Sequence, residues 1–159
     1  MTQRHTADFL SPPRKNDWRV LDLSFLPDGF VRSGRLLARI GIALCMIIIA
    51  VGSLAPPSLA DLSATGIGDK TAHLVGYAGT MLCAAFSVVR GRACLGWGLF
   101  LIGYGALMEW GQAYMAQGRE ASWADMAANG AGIIVGVASA VLLVQLGRWC
   151  LTLKATDVA

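Results

Sequence analysis

Ionisable and amide side chains recur at helical spacing in three segments of this 159-residue chain. Asp69, His73 and Tyr77 are each four residues apart, which places them on one face of a helix. Two further pairs show helical spacing: Glu109 with Gln112, and Asp125 with Asn129. Carboxylates and an imidazole in one cleft could transfer protons or bind a charged group, and the phenol and amides would add neutral hydrogen bonds.

Several of these residues also have purely structural explanations when taken singly. Asp69 could cap a helix after Gly68, and Ser122 with Asp125 matches the Ser-x-x-acid capping pattern. Arg119 could be a solvated loop residue. A single histidine in an apolar segment is more often a hydrogen-bonded structural residue than a ligand.

Glu109 has no such explanation, because it lies between Met108 and Trp110 inside an apolar run. An ionisable side chain at the centre of a spanning helix costs about 2.5–3.5 kcal/mol on insertion scales, and such residues usually face a partner or a wet cavity. We therefore expect Glu109 to face away from lipid, within hydrogen-bonding reach of His73, Arg119 or Asn129.

The composition of the chain is that of a membrane protein. Hydrophobic residues make up 55% and charged residues 14% of it, and the mean hydropathy is +0.57. In soluble domains, about 45–50% of the residues are apolar and about 25% are charged. These values exclude a disordered chain, and the net charge of +3 is too small to indicate nucleic-acid binding.

Four apolar stretches are long enough to cross a membrane, at about 36–54, 71–89, 93–115 and 124–146. We predict an all-α fold: an integral membrane bundle of four transmembrane helices with short loops. The chain then divides into a basic and aromatic N-terminal tail (1–35), a transmembrane domain (36–148) and a short C-terminal tail (149–159).

Basic residues set the predicted orientation. Of the 13 Lys and Arg residues, only Lys70 and Arg119 fall on one side of this four-helix arrangement. By the positive-inside rule, we predict that both termini and the Arg90–Arg92 turn are cytoplasmic, and that the chain is a multi-pass protein of the inner (cytoplasmic) membrane.

Small residues recur every four positions on two of the predicted helices. Gly132 and Gly136 lie on the fourth, and Gly76 lies on the second among Ala72, Thr80 and Ala84. Such stripes let membrane helices approach closely. They predict packing within the bundle or, alternatively, a homodimer, so the oligomeric state is left open.

The polar residues converge in this topology, since all of them fall at the extracytoplasmic ends of consecutive antiparallel helices. We predict that one binding site contains Asp69, Lys70, His73, Tyr77, Glu109, Gln112, Arg119, Asp125 and Asn129. We predict no metal ion and no cofactor, because Cys45, Cys83, Cys94 and Cys150 form no CxxC pair and one histidine is thin support for a metal. A divalent metal held by Asp69, His73, Glu109 and Asp125 is left as a minor alternative.

The same residues carry a family resemblance. The blocks Asp69-Lys70-x-x-His73-x-x-x-Tyr77, Glu109-x-x-Gln112 and Arg119-x-x-Ser122-x-x-Asp125-x-x-x-Asn129 resemble the VanZ-like family, over about residues 36–146. That family consists of small bacterial multi-pass membrane proteins named for an accessory factor in teicoplanin resistance. The resemblance implies a cell-envelope role, with a link to glycopeptide resistance, and supplies no reaction.

Three functions fit these residues, and a polar network that is satisfied within the protein and binds nothing is the alternative to all three. The first is non-enzymatic binding of a lipid head group, a glycan precursor or a partner protein, with Lys70 and Arg119 contacting anionic oxygens. The alternative is an intramembrane enzyme acting on a lipid-linked envelope substrate, in which Glu109 or Asp125 is the base and His73 the acid. A transporter is the third, but transporters usually have repeated halves and sites at the midplane. The expected partners are membrane lipids, an envelope precursor or another membrane protein.

Overall fold

The computed structural model describes residues 21, 23–54, 68–88, 91–115 and 121–156, and within these ranges the chain is helical and contains no strand. The four helices are α1 (Asp28–Leu54), α2 (Asp69–Ser87), α3 (Gly91–Tyr114) and α4 (Trp123–Thr156). The predicted all-α architecture is therefore confirmed. α1 begins eight residues before the predicted span at 36, and α4 continues through most of the predicted C-terminal tail.

Three of the four helices are long and apolar enough to cross a membrane: α1, α3 and the 123–151 part of α4. α2 does not reach the same apolarity, because Asp69, Lys70 and His73 occupy its first two turns. The helices thus indicate a membrane protein, and α2 differs from the other three in composition.

α2 lies between α1 and α4. On one side, Gly132 and Gly136 of α4 meet its backbone: a Cβ atom on Gly132 would collide with the Leu74 carbonyl oxygen, and one on Gly136 would lie 2.5 Å from the Ala78 carbonyl oxygen. On the other side, a Cβ on Gly76 would lie 3.1 Å from Ile49 of α1. Both small-residue stripes therefore pack within the bundle, which was one of the two alternatives predicted from the sequence.

α3 is joined to α1 by two hydrogen bonds from side chains to backbone. Tyr104 Oη donates to the Met46 carbonyl oxygen at 2.8 Å, and Gln112 Nε2 donates to that of Ser53 at 3.0 Å. Ser53 lies in the last turn of α1, where carbonyl groups have no partner within the helix. Gln112 therefore satisfies a helix end.

The outer surface of the bundle is apolar. Exposed large side chains occur along α1, α3 and α4, among them Leu37, Ile48, Leu99, Ile134 and Leu142. Inside, the hydroxyl groups of Thr80 and Ser87 donate to carbonyl oxygens of their own helix. This is the distribution expected when the surrounding medium is lipid.

The segment before α1 packs against the end of the bundle opposite the predicted site. Leu21 is buried, and the guanidinium of Arg148 in α4 lies 5.6 Å from the Phe25 ring centroid, a cation–π contact. The rest of the predicted N-terminal tail, residues 1–20, lies outside the described residues.

Candidate functional site

Buried polar side chains from three helices gather at one end of the bundle, where α2 and α4 begin and α3 ends. They are His73 of α2, Glu109 and Gln112 of α3, and Asp125 and Asn129 of α4. Each has an exposed fraction of 7% or less. The antiparallel order of the helices brings them together, since consecutive helices alternate in direction.

A hydrogen bond joins α2 to α4 at the centre of this group. His73 Nδ1 lies 2.9 Å from Asn129 Oδ1, and both residues are buried. A carbonyl oxygen can only accept, so Nδ1 is the donor and carries the proton. The second ring nitrogen, Nε2, is then the one available for other chemistry.

Two carboxylates lie beside the imidazole ring of His73. The Asp69 carboxylate is four residues earlier on α2, with Oδ1 4.0 Å from Nε2, and its side chain is 56% exposed. Asp125 enters from α4, and the closest donor atoms of Asp69, His73 and Asp125 all lie within 4.8 Å of one another. Asp69 faces solvent and Asp125 faces the interior, so the group connects the surface to the core.

The predicted cap of α4 is present in a modified form. The Asp125 backbone N–H donates to Ser122 Oγ at 3.3 Å, as in a capping box. In that motif the acid would accept the backbone N–H of the cap residue. Here Ser122 N donates instead to Glu109 Oε2 of α3 at 2.8 Å. Glu109 thereby completes the cap, which leaves the Asp125 carboxylate directed toward His73.

Glu109 is therefore buried as expected, but with a different partner. It is 4% exposed, and its Oε1 atom has no hydrogen-bond partner among the described residues. The expected bonds to His73 or Asn129 are not formed, and Oε2 accepts the backbone N–H of Ser122 at the start of α4. The expected partner Arg119 lies outside the described residues.

Tyr77 lies one turn deeper in the core than His73. Its side chain is fully buried, and neither Tyr77 Oη nor Asn129 Nδ2 has a hydrogen-bond partner. Both atoms face Gly105 of α3, where a Cβ atom would lie 2.8 Å from Nδ2 and 3.2 Å from Oη. Gly105 thus leaves room for two polar side chains that an alanine would displace.

Gln112 and Lys70 lie at the same end of the bundle but do not contact the centre of this group. Gln112 is directed to α1, and Lys70 is exposed next to Asp69. Arg119 belongs to the connection between α3 and α4, outside the described residues. The site thus consists of a core of Asp69, His73, Asp125 and Asn129, with Glu109 supporting it through Ser122.

Sequence reasoning did not identify Gly105 or the Ser53 carbonyl oxygen as part of this end of the bundle. Gly105 is one of several glycines in α3, and no spacing separates it from Gly96 or Gly103, which face open space. The Ser53 carbonyl is a backbone group, so only the end of α1 could have pointed to it.

The prediction of no metal rested on the presence of a single usable histidine. The fold places two carboxylates beside that histidine, which makes an imidazole nitrogen and two oxygens available to a cation. Comparison of the chain with protein-family models, with curated proteins and with solved structures finds no match.

Proposed function

We propose that the chain is a VanZ-like protein of the bacterial inner membrane that binds the head group of an anionic lipid or lipid-linked envelope precursor, without catalysing a reaction. The observation that carries the proposal is the convergence of buried polar residues at one end of an otherwise apolar bundle. Buried polar groups in a membrane bundle are costly and usually mark a site of function.

In this proposal all four helices cross the membrane. α2 has 19 residues, a rise of about 28 Å, close to the hydrocarbon thickness of about 30 Å. Its polar first turns lie at the membrane surface, and α1 and α4 cover much of the rest. A helix packed between neighbours needs less apolar surface than one that faces lipid on all sides.

Aromatic residues support a placement of the site at the membrane surface. Trp110, Tyr114 and Trp123 are exposed at the same end as the site, and Trp149 is exposed near the other end of α4. Trp123 and Trp149 are separated by about 39 Å along the helix. A bilayer with its head groups is about 40–45 Å thick, and tryptophan favours both interfaces.

The distribution of basic residues supports an extracytoplasmic site. Arg32, Arg92 and Arg148 lie near the opposite end of the bundle, which by the positive-inside rule favours a cytoplasmic location for that end. Lys70 is exposed beside the site, and Arg119 belongs to the loop that connects its helices. These two side chains would contact phosphate or carboxylate oxygens of the ligand.

The role of Glu109 favours binding over catalysis. Its carboxylate accepts the Ser122 backbone N–H, so it is occupied in a structural bond. Glu109 and His73 contact different parts of α4, which argues against these two residues as the acid and base of one reaction. The VanZ resemblance adds the expectation of an envelope role connected with glycopeptide resistance.

Mass spectrometry of co-purifying lipids tests the proposal. We expect Lys70→Ala and Arg119→Ala to lose a lipid class that the unmodified protein retains, since each removes a positive charge from the site. Arg92→Ala is the matched control, because Arg92 is exposed at the other end of α3. Identical lipid profiles in all four proteins would contradict head-group binding.

A further inference from the structure

The structure brings three potential metal ligands to one point at the site end of the bundle. Asp69 and His73 are one turn apart on α2, and Asp125 enters from the first turn of α4. Their closest donor atoms all lie within 4.8 Å of one another. The set combines one imidazole nitrogen with two carboxylate oxygens, which suits Zn²⁺, Mn²⁺ and related ions.

The orientation of His73 is the first observation that points to a cation. Because Asn129 Oδ1 accepts from Nδ1, Nε2 remains as the ring nitrogen that can bind a cation, and it lies 4.0 Å from Asp69 Oδ1. The Asp125 carboxylate lies within 4.8 Å of the ligand atoms of both residues. A hydrogen bond from the second ring nitrogen to an oxygen is the usual support of a metal-bound histidine.

Asp125 supplies a second, independent observation. Its side chain is only 7% exposed, and among the described residues no donor reaches its carboxylate. The role that would have occupied this carboxylate, acceptance of the Ser122 N–H, is taken by Glu109. A carboxylate that is 7% exposed, lies within 4.8 Å of an imidazole nitrogen and has no hydrogen bond to a described residue is a suitable ligand for a metal ion.

We propose that Asp69, His73 and Asp125 bind a divalent transition-metal ion, with Asn129 as a positioning residue that holds the imidazole. This metal site extends the proposed function, and it rests on that function only for the identity of the group that completes the coordination of the ion. Three protein ligands leave a coordination position open, as in sites that bind an exchangeable group. That position would accept a phosphate or carboxylate oxygen of the head group.

The distances are compatible with one ion after small side-chain rotations. Ligand bonds of about 2.0–2.2 Å place neighbouring ligand atoms of a tetrahedral ion about 3.3–3.6 Å apart. His73 Nε2 and Asp69 Oδ1 are 4.0 Å apart. The side chain of Asp69 is 56% exposed, whereas His73 and Asp125 are buried.

Metal binding is measured on the full chain purified in detergent, stripped with a chelator and then equilibrated separately with Zn²⁺, Mn²⁺ and Mg²⁺. We expect about one Zn²⁺ or Mn²⁺ per chain by elemental analysis, and at least tenfold weaker binding of Mg²⁺, which prefers an all-oxygen site. Less than about one tenth of an equivalent of Zn²⁺ and of Mn²⁺ would overturn the proposal.

Matched variants assign the ligands. His73→Gln and Asp125→Asn should weaken binding at least tenfold, whereas His5→Gln, which removes the other histidine, and Asp28→Asn, at the far end of α1, should leave it unchanged. Asn129→Leu should weaken binding about 10–100-fold, and Asn129→Asp, which keeps an acceptor, should restore most of it. Equal metal affinity in His73→Gln and the unmodified protein would also overturn the proposal.

Two further measurements keep the outcomes distinct. Thermal unfolding in the absence of metal identifies any variant that fails to fold. The amount of metal bound by the unmodified protein tests the proposal without any variant. Lipid analysis before and after chelation separates the two functions. A bound metal without a retained lipid supports this site and contradicts head-group binding, and a retained lipid without a bound metal does the reverse.

Discussion

The Glu109 carboxylate lies 2.8 Å from the backbone nitrogen of Ser122, so a side chain of α3 caps the first turn of α4. Helix starts have unpaired N–H groups that normally bond to a nearby side chain of the same segment. Here an acceptor from the preceding helix does this. The bond fixes the end of α3 against the start of α4 and sets the direction of Asp125.

We predict that Glu109→Gln keeps most of the stability of the bundle, whereas Glu109→Leu lowers it by about 1–3 kcal/mol. The glutamine carbonyl can still accept from Ser122 N, but leucine leaves a part-buried N–H without a partner. Thermal unfolding in detergent measures both. Equal loss in the two variants would show that charge, and not the hydrogen bond, is what matters at this position.

Gly136 and Gly130 provide a matched pair on α4. A Cβ on Gly136 would lie 2.5 Å from the Ala78 carbonyl oxygen and 2.8 Å from Met81 Cβ, whereas one on Gly130 meets nothing within 4 Å. We expect Gly136→Ala to destabilise the bundle by about 1–3 kcal/mol through overpacking. Gly130→Ala should be neutral or stabilising, because alanine favours a helix more than glycine does. Similar melting temperatures for the two would contradict the packing of α4 on α2.

The protonation of the His73 ring can be measured directly. With Asn129 Oδ1 as the acceptor, Nδ1 carries the proton in the metal-free protein. Nitrogen NMR of histidine-labelled protein should therefore report Nδ1 as protonated, and Asn129→Leu should abolish this preference. His5→Gln simplifies the spectrum to one histidine. A ring protonated only at Nε2 would mean that the Asn129 amide donates.

Native Cys150 tests the orientation of the chain. Its side chain is exposed near the end of α4, whereas Cys45, Cys83 and Cys94 are buried or half-buried. In intact cells, an impermeant thiol reagent should leave Cys150 unlabelled and should label a cysteine introduced at Ser58 or Gln117. Permeabilised cells should label Cys150 as well. The opposite pattern would place the polar site on the cytoplasmic side.

Periodicity and spacing predicted the helices well, because a long apolar run has few alternatives to a helix in lipid. The shared depth of His73 and Asn129 follows from the same reasoning, since each lies one turn inside a helix that begins at this end of the bundle, but their hydrogen bond was not predicted. The partner of Glu109 did not follow from it. That bond is made to a backbone N–H at the start of α4. The residue types in a sequence identify side chains, but they do not show which backbone group a side chain will bind.

Gln112 shows a second limit of sequence reasoning. Its spacing from Glu109 predicted one shared face, but a three-residue step on a helix also turns the side chain by about 60° from the line of the axis. That angle is enough for Gln112 to contact α1 while Glu109 contacts α4. Which neighbour lies on which side of α3 depends on the packing of all four helices.

The central position of α2 has a consequence for how the protein enters the membrane during synthesis. α2 alone falls short of the apolarity of its neighbours, so the insertion machinery would release it into lipid poorly as a single segment. In the proposed topology α2 is held in the membrane by packing against α1, which has already been inserted. Gly41 of α1 packs against Cys83 of α2, and Gly76 of α2 packs against Ile49 of α1. The polar first turns of α2 become buried against α4 only after this last helix has been synthesised.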